Sequence, residues 1–408
     1  MKLLHARCAG LDVHKDTIVA CARIQGKGRT QRVVESFGTT TAELLRLSEW
    51  LDSQNVTHVA MEATGVYWKP VWHVLEGDFE LVLANAAHIK NVPGRKTDVN
   101  DATWIADLLA HGLIRASFVP ERPIQELRGL TRTRKQLVRE RARHLQRLQA
   151  VFEDANLKIG SVISNVDGRS GRAIVEALIA GETDPDKLLA VTTGRLRAPR
   201  EQLLEALRGK VTSYHRFLLK LHLEQVKGLD DAVEAIDKEV GRLVEPFRRN
   251  IELLTTIPGV NRTTAEMLVS EIGHDMSRFP SAGHLVSWAG LCPRNDESAG
   301  KRRSTRVRKG APWLKTMLVQ AACSAANTKN TYLRAQYHRI RGRRGSKKAY
   351  VAVAASILTA AYHMLRDGVA YNDLGSDYFD RRDATKTIKR LIRRLHDLGC
   401  EVEVKTAA

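Results

Sequence analysis

Two long stretches of apolar residues, spaced by steps of three and four, constrain the fold of this chain more than any other feature. The first covers residues 122–157, where Gly129 is the one glycine, and the second runs from Leu204 to Leu243. Apolar side chains with this spacing lie on one face of an α-helix. Two amphipathic helices of such length predict an antiparallel coiled coil, within or between subunits, over residues 121–250.

The preceding residues, 1–120, have an α/β pattern. Cys8–Val13 and Thr17–Ala22 are β-rich runs separated by His14-Lys15-Asp16, which predicts a hairpin. Further strands are predicted at 32–37, 56–60 and 79–83, and helices at 41–50 and 98–110. A loop is predicted over 160–194. Three strands followed by alternating helices and strands indicate one mixed sheet covered by helices.

The C-terminal part of the chain is basic. From Ser298 to Arg366 there are sixteen Lys or Arg and no Asp or Glu, and the whole chain has 65 basic against 46 acidic residues, a net charge of +19. Such an excess predicts a polyanionic partner. Residues 251–370 are predicted as a mostly helical unit, and 371–408 as a tail with a basic amphipathic helix over Arg381–Leu398.

A second basic stretch lies in the first long helix. Arg122 to Arg147 contains nine Lys or Arg and two Glu. A solvated helix face explains such density by default. A surface that tracks phosphates is the favoured interpretation.

Composition excludes several classes of protein. Hydrophobic residues are 43% and charged residues 27%, which excludes wholesale disorder. The five cysteines form no CxxC pair, so neither a disulfide framework nor a zinc ribbon is indicated. The N-terminus has no apolar signal segment, and the longest apolar run, Tyr350–Leu365, is too short to span a bilayer. We expect a cytoplasmic, nucleoid-associated protein.

Four carboxylates predict a metal site. Asp12 lies in one predicted strand and Glu62 ends another, where a charge is costly unless it is paired or binds a cation. Asp98 and Asp101 are three residues apart and would share a helix face. Mg²⁺ prefers oxygen ligands, and two such ions can clamp a phosphoryl transfer. The alternatives are that Asp98 is a helix N-cap and Asp12 a residue beside a turn.

Two further motifs point to nucleic acid. Ile257–Ala265 resembles the helix-hairpin-helix of DNA-binding proteins, with Gly259 allowing backbone amides to approach a phosphate; a plain interhelical turn is the alternative. Ser298 precedes a basic cluster. The residues around it, taken alone, indicate an ordinary loop serine. The predicted nucleic-acid contacts are Gly259, Arg262, Lys301, Arg302, Arg303, Arg306, Arg308 and Lys309.

The motifs together resemble the DEDD-type insertion-sequence transposases, the family of bridge-RNA-guided serine recombinases. The resemblance is carried by Gly10–Lys15, Met61–Gly65, Lys96–Ala102, Leu253–Gly273 and Trp288–Lys309. It implies a RuvC-like domain of RNase H fold over 1–120. It also implies a coiled-coil linker over 121–250 and a transposase domain over 251–370.

The resemblance also implies residue roles. The family's four-carboxylate motif matches Asp12, Glu62, Asp98 and Asp101. Its nucleophilic serine matches Ser298, although this chain reads Ser-Ala-Gly where the family has Ser-Gly, and Ser304 is the alternative. The implied reaction cuts and rejoins double-stranded DNA through a phosphoserine link. The implied partners are an element-encoded guide RNA and further copies of the chain, in a homodimer or homotetramer.

Two other functions are compatible with the sequence. One is a metal-dependent, junction-resolving nuclease that uses water as its nucleophile and needs Asp12 but not Ser298. The other is a non-catalytic RNA- or DNA-binding protein. Acidic residues in buried strands argue against the second, because pure binding has no use for them.

Overall fold

The computed structural model describes residues 3–26, 28–86, 89, 100–163, 165–193, 196–293, 296–304, 306–308 and 310–403. At 296–298, 302, 303 and 386 it describes the backbone alone. The chain divides into two units, Met1–Val119 and Pro120–Ala408.

A mixed sheet forms the centre of the first unit, as predicted. Its strands are β1 (Arg7–Val13), β2 (Thr17–Gln25), β3 (Thr30–Gly38), β4 (His58–Glu62) and β5 (Glu80–Ala84). The spatial order is β3-β2-β1-β4-β5. The first three strands are antiparallel, whereas β4 pairs parallel with both β1 and β5. The predicted hairpin is therefore confirmed as β1–β2.

Helices cover both faces of this sheet, because β1 is apolar on both sides. On one face, Ala9, Leu11 and Val13 pack with α1 (Thr41–Ser53) and α2 (Trp68–Leu75), in a core that includes Leu47. Cys8, on the other face, packs in a core with Ile105 of α3 (Asp101–Ala110). The burial of both faces explains why β1 reads as a continuous apolar run.

Two long helices of the second unit pack against each other. They are α4 (Arg122–Asp154) and, later in the chain, α9 (Ser213–Leu243). Arg134 pairs with Asp237, whereas Arg141, further along α4, pairs with Asp230, which lies earlier in α9. The two helices are therefore antiparallel.

The segment between these helices is helical rather than a loop. It contains α5 (Ile159–Val162), α6 (Arg169–Ala180), α7 (Pro185–Ala190) and α8 (Arg200–Ala206). The prediction of a loop over 160–194 was wrong, since these helices are short and bury their apolar residues, such as Ile174 and Leu188, against α4 and α9. The second long stretch also breaks after Leu207, because Thr212 starts α9 with a capping box.

A buried ion pair joins α4 to a later helix of the same unit. Glu271, which is 1% exposed, lies in α11 (Arg262–Ile272), which follows α10 (Arg248–Thr255). Arg132 binds its carboxylate with both arms, at 2.7 and 2.8 Å. Arg128 donates to the carbonyl of Ser270 at 2.9 Å. These contacts fix the N-terminal part of α4 on α11.

The remaining elements surround one apolar helix. They are α12 (Ala282–Trp288), β6 (Asp296–Ser298), β7 (Lys301–Ser304), α13 (Pro312–Asn327), α14 (Tyr332–Arg344), α15 (Ser346–Asp367), α16 (Tyr378–Arg382) and α17 (Ala384–Asp397). Within the described residues, α15 alone has the length and apolar content of a membrane span. It packs on α12, α13 and α14, and half of the apolar stretch is buried, as in a core helix.

Candidate functional site

Asp12 and Glu62 occupy equivalent positions on neighbouring parallel strands. The register pairs Gly10 with Ala60 and Leu11 with Met61, so the next residue of each strand is the carboxylate. Because side chains alternate along a strand, both carboxylates belong to the same face as Gly10 and Ala60. The sheet thus brings together two acidic residues that lie fifty positions apart in the sequence.

Helix α3 crosses this face in the opposite direction to β1. The Cys8 thiol contacts the carbonyl of Ala106 at 3.6 Å. Two residues further along β1, a Cβ on Gly10 would lie 2.2 Å from the carbonyl oxygen of Ala102. Moving along β1 toward Asp12 therefore means moving toward the N-terminus of α3, where Asp101 is the first helical residue. The absent side chain of Gly10 lets α3 approach the sheet closely enough to place Asp101 at this edge.

Local contacts hold the individual carboxylates. The Asp12 side chain is 21% exposed, and its Oδ2 lies 3.2 Å from His14 Nε2. Glu62 Oε1 accepts a hydrogen bond from the Thr64 hydroxyl at 3.4 Å. Asp101 lies in the first turn of α3, where the helix dipole favours a negative charge. Asp12 and Glu62 thus each have a polar neighbour, and Asp101 lies at the positive end of α3.

Asp98 lies outside the described residues. The helix that was predicted to begin there begins instead at Asp101, because the Asn100 side chain caps it by accepting from the amide of Ala102 at 2.8 Å. The N-cap of α3 is thus Asn100 and not Asp98. The argument that Asp98 and Asp101 share a helix face does not apply to α3.

The donor set has the chemistry of a hard-cation site. Carboxylate oxygens are the ligands that Mg²⁺ uses in proteins. Among the residues that the structure describes, however, no three His, Cys, Asp or Glu side chains are grouped closely enough to hold a metal ion. The backbone therefore places Asp12, Glu62 and Asp101 at one edge, while the described side chains do not form a coordination shell.

The serine motif forms a hairpin in the second unit. β6 and β7 are antiparallel, and Ser298 pairs with Lys301 across the turn. The two turn residues, Ala299 and Gly300, have φ of 50° and 73°, as a type I′ turn requires. The backbone of Ser298 is thus at the tip of the hairpin, and its side chain is outside the described residues.

Ser304, the alternative nucleophile, is at the other end of the hairpin. It pairs with Asp296, and its hydroxyl accepts a hydrogen bond from the amide of Arg306 at 3.2 Å. Further along the chain, a Cβ on Gly310 would lie 2.5 Å from the backbone of Gly290. This contact anchors the base of the hairpin next to α12.

Gly259, in the turn between α10 and α11, has a role in helix packing. Gly259 has φ of 86°, and a Cβ there would lie 2.4 Å from the carbonyl oxygen of Ala321 in α13. Asn261 caps α11 by accepting from the amide of Thr264 at 2.9 Å. A requirement for glycine therefore follows from helix packing alone, and the helix-hairpin-helix interpretation remains a prediction.

The predicted nucleic-acid residues differ in their surroundings. Arg262 is exposed but donates to Glu266 at 2.9 Å, whereas Lys301, Arg306 and Arg308 are exposed on or after the hairpin. The side chains of Arg302, Arg303 and Lys309 are outside the described residues.

The basic face of α4 is largely engaged within the protein. Five of its nine cations up to Arg147 pair with carboxylates of the second unit, namely Arg122, Arg128, Arg132, Arg134 and Arg141. Arg139 lies over the ring of Trp313, 5.3 Å from its centroid. Arg122 pairs with Glu126 of α4 itself, and the other four pair with carboxylates on α9 and α11. These cations are therefore partly neutralised within the protein, and the phosphate-tracking surface stays a prediction.

Comparison with known proteins identifies the family. Residues 9–156 match the family model of the IS110 DEDD transposases, described as a transposase. Residues 251–338 match the model described as transposase IS116/IS110/IS902 family. Together the two segments cover more than half of the chain. The chain belongs to the IS116/IS110/IS902 transposase family.

Several curated proteins are similar in sequence. The insertion element IS110 uncharacterized 43.6 kDa protein of Streptomyces coelicolor is 31% identical over 34% of this chain and 34% of its own length. The pilin gene-inverting protein of Moraxella bovis is 26% identical over 44% of this chain and 57% of its own length. The insertion element IS900 uncharacterized 42 kDa protein of Mycobacterium paratuberculosis is 26% identical over 72% of this chain and 80% of its own length. The chain thus spans less than two thirds of the first two relatives.

The sequence did not indicate His14 as a residue of the candidate site. Its Nε2 is the nearest described cation-forming group to Asp12, at 3.2 Å. The available signal was its position two residues after Asp12, which keeps it on the same side of the strand as the chain leaves β1.

Proposed function

We propose that this transposase cuts and rejoins the DNA strands of an insertion sequence in the cytoplasm. The first unit would be a RuvC-like domain whose carboxylates act with Mg²⁺, and an element-encoded RNA would guide the reaction. The observation that carries the proposal is the register of β1 and β4, which sets Asp12 beside Glu62 at the edge where α3 begins with Asp101. A protein that only binds nucleic acid has no need for carboxylates gathered there.

Asp12, Glu62 and Asp101, with Asp98, would hold the metal. When bound, Mg²⁺ supplies positive charge that stabilises the oxyanions of a phosphoryl transfer. His14 lies close enough to Asp12 to orient this carboxylate through its Nε2. These residues are the proposed metal ligands, and Ser298 of the β6–β7 hairpin is the proposed nucleophile.

The cleavage step is an exchange of phosphate esters. The Oγ of Ser298 bonds to the scissile phosphorus, the bond from phosphorus to the 3′-oxygen breaks, and the serine proton ends on that oxygen. A 3′-hydroxyl then attacks a second phosphoserine, the bond from phosphorus to Oγ breaks, and the proton returns to the serine. Because one ester replaces another, rejoining needs no nucleotide cofactor.

The test is a search for a covalent adduct. Purified protein, the RNA flanking the element, labelled element-end DNA and Mg²⁺ are incubated and separated by denaturing electrophoresis. We expect label that travels with protein, and its loss in Asp12→Asn and in Ser298→Ala. Asp16→Asn is the matched control, since Asp16 is exposed in the turn after β1.

Three other results would contradict parts of the proposal. An adduct that persists in Ser298→Ala and disappears in Ser304→Ala would move the nucleophile to Ser304. Cleaved DNA without an adduct, unaffected by Ser298→Ala, would establish a hydrolytic nuclease. Binding without cleavage by the unmodified protein would leave a nucleic-acid-binding protein.

A further inference from the structure

A row of unpaired cations lies where α14 meets α15. Arg339, Arg341, Arg343 and Arg344 are exposed at the end of α14, and Lys347 and Lys348 follow in the first turn of α15. Within the described part of the chain, none of these six forms an ion pair with a carboxylate. This contrasts with α4, where most cations are paired. A row of this kind attracts a polyanion.

A cavity of about 470 Å³ opens beside this row. It lies between α14 and the segment where α16 ends and α17 begins. Its lining consists of Gln336, Arg339, Ile340, Phe379, Arg382 and Asp383. The volume falls within the roughly 300–1,000 Å³ of small-molecule sites, so the cavity is larger than a lone inorganic ion requires.

The aromatic ring of Phe379 forms part of the cavity wall. Phe379 stacks on Tyr332, with ring centroids 5.2 Å apart and an interplanar angle of 24°. The guanidinium of Arg339 lies 4.9 Å from the Phe379 centroid. A planar cation held on an aromatic ring offers a flat surface, and both groups are known to stack on nucleobases.

Gln336 supplies a hydrogen-bond acceptor without a donor. Its Nε2 donates to the Ser356 hydroxyl at 2.8 Å. Its Oε1 is buried and has no partner in the described structure. A buried acceptor in this state favours a ligand that brings an N–H group. The carboxylate of Asp383 is a second acceptor in the lining.

We propose that this cavity binds one unstacked nucleobase with an exocyclic amino group, while the adjacent cations hold its phosphates. The amino group would donate to Gln336 Oε1, and the ring would stack on the Arg339 guanidinium, which itself lies over Phe379. This inference rests on the proposed function in that it assumes a nucleic-acid substrate or guide. It adds a contact with a single unpaired nucleotide, far along the chain from the serine hairpin.

The test measures how far binding depends on the base. The full-length protein is titrated with a 12-nucleotide oligo-dC, an oligo-dU of the same length and an abasic 12-mer with the same phosphates, by fluorescence anisotropy. We expect oligo-dC to bind about tenfold more tightly than the abasic strand, as one stacked base allows. We expect oligo-dU, which lacks the amino group, to bind more weakly than oligo-dC.

Variants separate the pocket from the general charge. Gln336→Leu and Phe379→Leu should bring the oligo-dC to abasic ratio close to one. Arg341→Ala, the control, should weaken both strands by the same factor and leave the ratio unchanged, since Arg341 is outside the lining. Circular dichroism checks that each variant folds. If Phe379→Leu does not fold, a second pocket variant, Arg339→Ala, takes its place in the test.

The outcomes distinguish this inference from the function proposed above. Equal binding of the abasic strand and oligo-dC by the unmodified protein would refute the pocket, even if the adduct assay succeeded. A base-dependent ratio that survives Gln336→Leu and Arg339→Ala would place base recognition elsewhere. Base dependence of the expected size, without a covalent adduct, would support the pocket and refute the recombinase. Oligo-rC tighter than oligo-dC would assign the ligand to RNA, and the reverse order to DNA.

Discussion

Replacement of Gly10 by alanine tests how the fold positions the carboxylates. The added Cβ would lie 2.2 Å from the Ala102 oxygen and 2.4 Å from the Ala106 nitrogen. Both are backbone atoms of α3, so no side chain can rotate away. Since non-bonded heavy atoms in favourable contact are about 3.5–4.0 Å apart, the helix must move by more than about 1 Å.

That movement has two consequences. Overpacking of this kind costs about 1–3 kcal/mol of folding free energy. The shift also carries Asp101 away from Asp12, and about 1 Å of misplacement at a reacting site lowers a rate about 100-fold. We therefore expect Gly10→Ala to lower both stability and strand cleavage, and to reduce cleavage by more than the loss of folded protein explains.

Two measurements and a control check this prediction. Hydrogen–deuterium exchange of peptides from β1 and α3 reports the local stability, and the adduct assay reports the chemistry. Gly77→Ala is the matched control, because a Cβ at Gly77 meets no atom within 4 Å. Protection and cleavage at the unmodified level in Gly10→Ala would refute the close packing of α3 on β1 and the positioning argument with it.

Three further predictions concern buried polar groups. Arg132→Ala should destabilise the second unit by about 3–5 kcal/mol, because it leaves the buried Glu271 without its bidentate partner; a thermal scan within 1 °C of the unmodified protein would contradict this. Burial, and then the neighbouring His144, lowers the pKa of His222, so stability should fall as the pH drops below 6.5, and His222→Gln should remove that part of the dependence. Burial raises the pKa of Cys8 to about 12, so iodoacetamide at pH 8 should label the exposed Cys400 and leave Cys8 unmodified, as peptide mass spectrometry would show.

Local pattern was enough to predict many elements. The β1–β2 hairpin, the long α4 and the helix α1 follow from alternation and from spacing of three and four. These patterns depend on residues that are close to one another in the sequence. Where the local pattern was weak, as in the short helices over residues 159–190, the prediction of a loop was wrong.

Partners that are distant in sequence account for most of the remaining differences. Asp12 and Glu62 were selected as charges in apolar strands, but only the parallel register of β1 and β4 sets them side by side. Four cations of α4 are paired with carboxylates on α9 and α11, which the sequence pattern of α4 alone does not indicate. Likewise, Arg339 meets Phe379 only because the C-terminal segment returns to α14.

The sequence by itself thus determined the secondary structure of the sheet and the long helices, and the residue types of the candidate site. Only the tertiary structure decided which charges are neutralised, which glycines admit a neighbouring backbone, and where an aromatic ring lies beside an arginine. The physical reason is the sequence separation over which each interaction acts. Periodicity and capping act between residues a few positions apart, whereas burial and charge pairing depend on contacts between segments separated by many residues.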